Sequence, residues 1–288
     1  MLDLYASIKN SLRAIETSLR VSVANANNFN TPGYKFTTTS FVNIFGQVLT
    51  PATATTNPQA LGGSMTVGST TTDFSQGSIG FGGALDVAVS GEGFIIISQS
   101  AAAFGVSSIK SYTRNGKFQT DFSNTYVTDS FGRKVFGFEL NANGNVKSKT
   151  LVPIETKGNT DVGFTENGVL VTNFKAHKEA VKRGDATLPE RIPLFKMAIT
   201  TFANKQGLTL TDGGALNPTA ASGEAFPPEE AGEGIMGTII PEAIESSNVE
   251  VSRVALDMNL INRGISAIQG ITQDVNKMTS DLISKLTA

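Results

Sequence analysis

Residues 85–97 read LDVAVSGEGFIII, and this stretch decides the fold of the middle of the chain. Over 85–89 apolar side chains alternate with polar or small ones, which is the pattern of a half-buried strand. The sequence Gly91-Glu92-Gly93 then predicts a turn into the apolar run 94–97, a second strand. The middle of the chain is therefore expected to be β structure.

Further strand signals follow this stretch. Aromatic and β-branched side chains recur at strand-like intervals, at Tyr112, Phe118, Tyr126, Val127, Val135 and Phe136. Two Asn-Gly pairs, at 115–116 and 143–144, predict hairpin turns. Together these signals predict a central, mainly antiparallel β domain.

The two ends of the chain carry heptad patterns instead. Apolar residues of the N-terminal end step by fours and threes through Ile8, Leu12, Ile15 and Leu19. A helix there should stop near residue 30, because the Asn-Thr-Pro-Gly sequence at 30–33 disfavours helix. The C-terminal pattern is longer, over about 248–286, and runs through Val251, Val254, Met258, Ile261, Ile265, Ile268, Val275 and Leu282.

Neither helix can bury its apolar seam alone, so each needs the other helix or a neighbouring subunit. The expected fold class is α+β, with N- and C-terminal helices pairing as a coiled coil and a central β domain. The segments are predicted as an assembly helix at 1–30, an extended or flexible linker at 31–84, a β-rich body at 85–210, a loop-rich return at 211–246 and an assembly helix at 247–288.

Composition excludes several classes of protein. The 288 residues include 23 basic and 25 acidic ones, so no charge excess points to nucleic acid or to an anionic membrane. Without cysteine the chain has no disulfide, thiolate metal site or cysteine nucleophile. No segment approaches the roughly 18 apolar residues of a membrane span. The N-terminus lacks the pattern of a cleaved signal peptide, so any export is expected to use another route.

Candidate chemical sites are weak. The one histidine, His177, lies among charged residues and is interpreted as a solvated loop residue. Residues 90–93 form neither a nucleophile elbow nor a phosphate loop, and a tight turn is expected. Glu229, Glu230 and Glu233 lie among Pro and Gly, as in a solvated acidic loop, and Tyr112 and Tyr126 are expected in the core. No catalytic, metal or cofactor site is therefore expected, which disfavours an enzyme such as a secreted hydrolase; an adhesin or secreted binding module stays an alternative.

Five stretches, in chain order, resemble motifs of the flagellar axial family, the rod and hook proteins. They are VANANNFNTPGYK at 23–35, DFSQG at 73–77, LDVAVSGEGF at 85–94, YTRNGKF at 112–118 and ESSNV at 245–249. The chain departs from the family at 262–266, where NRGIS replaces a common Gln-Arg-Ala-Tyr-Glu-like stretch. Its length is closer to a rod subunit, while residues 34–45 resemble the hook version.

The resemblance implies a structural subunit that self-assembles into a helical tube, with the basal-body rod as first expectation and the hook as second. It implies export through the flagellar type III apparatus without a cleaved signal, location in the rod or hook, and other rod and hook proteins as partners. Nucleic acid, a cofactor and integral membrane insertion are not expected. The assembly residues would be the two seams together with Asn25, Asn28, Asn30, Thr31, Pro32, Gly33, Tyr34, Ser247, Asn248 and Val249.

Overall fold

The computed structural model describes residues 2–43, 48–50, 59–60, 64–99, 110–185 and 187–287. These residues form two units. The described residues of Met1–Phe29, Phe36–Asp73 and Val249–Ala288 make up the first, here called the helical unit. Those of Asn30–Lys35 and Phe74–Asn248 make up the second, here called the β unit.

The elements are numbered along the chain. The first half contains α1 (Leu2–Asn27), β1 (Thr37–Asn43), β2 (Val48–Thr50), β3 (Gln59–Ala60), β4 (Met65–Thr72), β5 (Ile79–Phe81), β6 (Val87–Ser90), β7 (Phe94–Ser98), β8 (Ser111–Thr113), β9 (Gln119–Thr120), β10 (Val127–Thr128) and β11 (Lys134–Glu139). The second half contains β12 (Val152–Pro153), β13 (Val162–Thr165), β14 (Val169–Thr172), α2 (Phe174–Arg183), β15 (Pro193–Thr200), β16 (Thr209–Thr211), β17 (Ala215–Asn217), β18 (Glu229–Glu230), β19 (Thr238–Pro241), β20 (Ala243–Glu245) and α3 (Val251–Thr287). Short 3₁₀ turns lie at Glu166–Gly168, Lys205–Gly207 and Asp212–Gly214.

The helical unit combines the two terminal helices with a strand pair. Strands β1 and β4 pair antiparallel from Thr37 opposite Thr72 to Asn43 opposite Met65, with an irregularity after Ser40. Serine and threonine line much of this pair, and the hydroxyl groups of Ser40 and Ser69 are 2.7 Å apart. Strands β2 and β3 form a second antiparallel pair.

The β unit is built on one large antiparallel sheet, with strand order β13-β14-β15-β11-β7-β8-β17-β16. Strands β9, β10, β12 and β18 extend it at the sides of this path. Two smaller antiparallel pairs, β6 with β19 and β5 with β20, lie in the same unit.

Strand β7 is buried on both faces, because each face carries its own apolar core. Ile95 and Ile97 belong to one core, which also contains Val87 and Met197. Phe94 and Ile96 point to the other core, in agreement with the two-residue period of a strand. The stretch 94–97 is thus the part of the β unit on which both cores depend.

The predicted α+β class, with terminal helices and a central antiparallel β domain, is confirmed. Part of the predicted linker, 31–84, forms β1 and β4 in the structure, and its residues 44–47, 51–58 and 61–63 lie outside the described residues. The segment 211–246, expected to be rich in loops, contributes β17, β18, β19 and β20 to the β unit. The exact segment boundaries stay a prediction.

The two Asn-Gly pairs have different outcomes. At 143–144 the expected turn is confirmed, since the Gly144 N–H donates to the Asn141 carbonyl at 2.9 Å and Leu140 pairs antiparallel with Val146. At 115–116 the predicted hairpin is wrong, because β8 pairs with β7 and β17 and not with the following strand.

Gly116 has a packing role in place of a hairpin role. Its carbonyl accepts from the Val87 N–H at 3.0 Å, and a Cβ at this position would lie 1.7 Å from the Val87 carbonyl oxygen. Only glycine therefore lets the two backbones approach this closely.

His177 is also placed differently from the expected loop. It lies in α2, half-buried, and its Nδ1 is 2.8 Å from the Pro189 carbonyl oxygen. The charged residues of 174–183 form an amphipathic helix that ends at Gly184, whose φ of 73° suits a helix C-terminus.

We expect Gly116→Ala to destabilise the β unit by about 1–3 kcal/mol, because the added methyl group forces two backbones apart. Gly80→Ala is the matched control, since a Cβ at Gly80 meets nothing within 4 Å. Urea unfolding of the two purified variants measures the difference. Equal stability of the two variants would contradict the close-approach role of Gly116.

Candidate assembly surfaces

The two terminal helices contact each other within the helical unit. The Tyr5 hydroxyl donates to Asn276 Oδ1 at 2.8 Å, and a Cβ at Gly264 would lie 3.2 Å from Ile15 Cδ1. Tyr5 precedes Ile15 in α1, whereas its partner Asn276 follows Gly264 in α3. The two helices therefore run antiparallel. The expected contact between the terminal helices is therefore present, while knobs-into-holes packing stays a prediction.

The seam residues differ in burial along the helices. Ile15, Val254 and Val275 are buried, at 7%, 4% and 7% exposure. Intermediate burial is shared by Ile8, Leu12, Leu19, Met258, Ile261, Ile265 and Ile268. Val251 and Leu282, near the two ends of α3, are exposed. The predicted seam thus faces protein along the middle of α3 and faces solvent near its ends.

A second apolar stripe runs along α3 and is exposed. This outer stripe consists of Leu256, Leu260, Ile271 and Met278, which are 61%, 56%, 50% and 64% exposed. Their intervals of four, eleven and seven residues are each close to a whole number of helical turns, so the side chains share one face. The outer stripe was not predicted from the sequence, because the seam, with its intervals of three and four residues, gives the stronger pattern. The 3.6-residue helical period, applied to the remaining apolar residues of α3, would have identified it.

Two asparagines of the N-terminal motif organise the helical unit. Asn25, at 2% exposure, donates from Nδ2 to the Thr37 carbonyl at 2.7 Å and accepts from the Thr37 N–H at 3.0 Å. Asn28 donates from Nδ2 to the Ala24 carbonyl at 2.8 Å. Asn25 therefore fixes the start of β1 against α1, and Asn28 supplies a partner for a carbonyl at the helix end.

The remainder of this motif lies in the β unit. Asn30 is exposed, and Thr31 and Pro32 are half-buried. The Gly33 N–H donates to the Glu245 carbonyl at 2.8 Å, and the φ of 69° at Gly33 favours glycine. Tyr34 is buried, and its carbonyl accepts from the Asn248 N–H at 3.3 Å.

Lys35, Arg114 and Glu245 form a buried charge cluster in the β unit. Glu245 is fully buried, and both cationic residues are 5% exposed. Glu245 Oε1 accepts from Lys35 Nζ at 2.6 Å and from the Gly77 N–H at 2.9 Å. Glu245 Oε2 lies 3.8 Å from Arg114 Nε and accepts no hydrogen bond from the described residues, so its interaction with Arg114 is electrostatic.

The cations of the cluster also bind backbone carbonyls. Lys35 Nζ donates to the Ser75 carbonyl at 2.7 Å. Arg114 Nη2 donates to the Gly91 carbonyl at 2.7 Å, and Nη1 donates to the Val89 carbonyl at 3.3 Å. Burial lowers the pKa of the Arg114 guanidinium from its ordinary value, and the carboxylates of Glu245 and Glu92 act in the opposite direction.

The five motif stretches therefore meet in one place. Gln76 joins the second stretch to the third, since its Oε1 accepts from the Gly91 N–H at 3.1 Å. Asn248 joins the last stretch to the second, since its Nδ2 donates to the Ser75 carbonyl at 3.1 Å. Sequence reasoning identified these stretches separately, and it did not identify Lys35, Arg114 or Glu245 as partners.

Two of the weak chemical candidates have partners outside this cluster. The Glu230 carboxylate pairs with Lys196, and the Lys134 ammonium group lies 4.5 Å from the centre of the Tyr126 ring. Over the described residues no three His, Cys, Asp or Glu side chains come together as a metal site would require. Among the helices in the part of the chain that the structure describes, none has the length and apolarity needed to span a membrane.

Comparison with known proteins finds flagellar relatives. The flagellar basal-body rod protein FlgG of Bacillus subtilis is 24% identical over 289 residues, covering 98% of this chain and 98% of the relative. FlgG of Borreliella burgdorferi is 27% identical over 83% of this chain and 82% of its own length. The flagellar hook protein FlgE of Helicobacter pylori is 34% identical over 49% of this chain, but the match spans only 20% of the hook protein. No protein-family model matches the chain. The resemblance to the flagellar rod and hook proteins is confirmed by these relatives.

We expect Ile265→Asp to separate the terminal helices without unfolding the β unit. The substitution removes part of the roughly 1.5–3 kcal/mol that full burial of an isoleucine contributes, and places a carboxylate on the predicted seam. Gln269→Asp, on the same helix at an exposed position, is the control. Protease cleavage within α3 should accelerate in the first variant alone, and equal cleavage of the two variants would contradict the seam contact.

Proposed function

We propose that this chain is a structural subunit of the flagellar basal-body rod, which self-assembles into a helical tube as part of the drive shaft. Support comes from the alignment with the rod protein of Bacillus subtilis, which spans nearly the whole length of both chains. The hook is the second candidate, favoured by 34% identity over 151 residues. Since this chain matches only 20% of the length of that hook relative, the rod is preferred.

The outer stripe of α3 is the observation that carries self-assembly. Soluble monomers rarely leave several large apolar side chains on one helix face in water, and such faces mark interaction surfaces. In a tube each helix gains neighbours from other copies of the same chain, and head-to-tail contacts that do not close generate an open filament. The occupant of the outer stripe is therefore a second copy of this chain.

The remaining parts of the proposal follow from the flagellar role. The subunit leaves the cytoplasm through the flagellar type III apparatus without a cleaved signal peptide, and other rod and hook proteins contact it along the axis. Catalysis has no place in this role, and no cofactor is required. The paired terminal helices line the tube as a coiled coil.

Localisation of the labelled full-length protein in isolated basal bodies tests the proposal. We expect label along the rod, on the cell-body side of its junction with the hook. Label confined to the hook would select the second candidate. Label on neither structure would contradict a flagellar axial role.

We expect Ile271→Glu to abolish assembly while leaving the monomer folded. Ile271 is half-exposed in the monomer, so a carboxylate there remains hydrated until a second subunit covers it. Gln273→Glu introduces the same side chain two residues away at another exposed position, outside the outer stripe. Motility and incorporation into basal bodies should be lost in the first variant only, with equal thermal unfolding of both monomers. Normal motility of the Ile271→Glu strain would exclude the outer stripe as the assembly surface.

A further inference from the structure

The buried charge cluster joins two parts of the β unit that are far apart in the sequence. Lys35 belongs to the segment 30–35, here called the entering segment, through which the chain first enters the β unit after α1 before Phe36–Asp73 return to the helical unit. Glu245 precedes the segment 246–248, through which the chain leaves the β unit before α3. The two residues are 210 positions apart in the sequence, yet their side chains are 2.6 Å apart.

Backbone contacts reinforce this pairing of the entering and leaving segments. The Gly33 N–H donates to the Glu245 carbonyl at 2.8 Å, and the Asn248 N–H donates to the Tyr34 carbonyl at 3.3 Å. A side chain at Gly33 would meet the Arg114 backbone at 2.4 Å, so the entering segment lies directly against the strand-end that carries the second cation. The two segments therefore run side by side at the charge cluster.

The charges of the cluster influence when the entering and leaving segments can dock. Lys35 and Arg114 are nearly inaccessible to solvent; the carboxylate of Glu245 pairs directly with Lys35 at 2.6 Å and lies 3.8 Å from Arg114. Burying a cation without a counter-charge is strongly unfavourable. The entering segment consequently docks more stably when the leaving segment, 210 residues later in the sequence, has brought Glu245 into place.

We propose that Glu245 is a positioning residue that closes the β unit on its entering and leaving segments, so that only a chain with both segments docked is competent to assemble. The assembly step rests on the proposed function, while the closure itself concerns the monomer. Buried ion pairs often add little net stability compared with apolar residues of similar size. The role of the cluster is therefore to hold the two segments together, and the two apolar cores stabilise the sheet.

Chymotrypsin cleavage of the full-length monomer after Tyr34 tests the closure. Tyr34 is 3% exposed, so cleavage there requires the entering segment to open. Glu245→Gln preserves the size of the side chain and removes its charge. We expect cleavage after Tyr34 to accelerate by roughly tenfold or more, because two buried cations lose their carboxylate. Cleavage elsewhere in the β unit should change much less.

Glu242→Gln is the matched control. Glu242 lies three residues earlier and pairs with Lys178 at the surface, at 36% and 44% side-chain exposure. Its neutralisation should leave protection at Tyr34 unchanged. The double variant Lys35→Met/Glu245→Gln should be cleaved no faster than Glu245→Gln, because it contains one buried cation fewer.

Two results of the protease experiment would overturn the closure role. Unchanged protection at Tyr34 in Glu245→Gln would show that the entering segment docks without the carboxylate. An equal increase of cleavage at all sites of the β unit would make Glu245 a general stabilising residue and not a positioning one.

Incorporation into basal bodies tests the assembly step separately. Glu245→Gln should be excluded and Glu242→Gln should be incorporated. Normal incorporation of an opened Glu245→Gln chain would overturn the assembly step. Absence of the unmodified chain from flagellar structures would contradict the proposed function and leave the protease result standing.

Discussion

A buried carboxylate needs opposite charges and hydrogen-bond donors beside it. Glu245, which has no solvent exposure, imposes this requirement on the β unit. Its Oε1 binds Lys35 and the Gly77 N–H, and its Oε2 faces Arg114. These groups belong to segments that are far apart in the sequence. The contacts of one side chain therefore fix where the chain first enters the β unit, where it leaves, and where Arg114 lies beside these two segments.

Sequence patterns predicted the helices and strands better than they predicted which strands pair with each other. The apolar run at 94–97 predicted β7, and the heptads predicted α1 and α3, because burial acts on each segment through its own periodicity. Strand partners depend on contacts across the fold, and a local turn signal gave the wrong partner at Asn115. Gly116 is needed there for the approach to the Val87 backbone, a requirement that no local pattern reveals.

For the candidate site, too, the sequence predicted the stretches involved but not the contacts between them. Resemblance to the rod and hook proteins selected the stretches that meet at the charge cluster, yet it did not indicate that Lys35 and Glu245 would bind each other. A lysine, an arginine and a glutamate dispersed over the chain look like ordinary surface residues in a sequence. Their burial follows from the packing of the whole β unit, so only the structure could identify them.

The two units differ in how completely they satisfy their own surfaces. The β unit buries both faces of β7 and pairs its internal charges, whereas α3 leaves Leu256, Leu260, Ile271 and Met278 half-exposed or more. Full burial of each such side chain contributes roughly 1.5–3 kcal/mol relative to full exposure, so about half of that remains to be gained at each position. Association of two molecules costs about 4–15 kcal/mol in lost freedom of motion. One contact between two outer stripes therefore falls near the limit of stable binding, and several neighbours per subunit are needed to exceed it. We therefore expect a chain with these surfaces to stay monomeric in dilute solution and to add stably only to an existing lattice, where several contacts form at once.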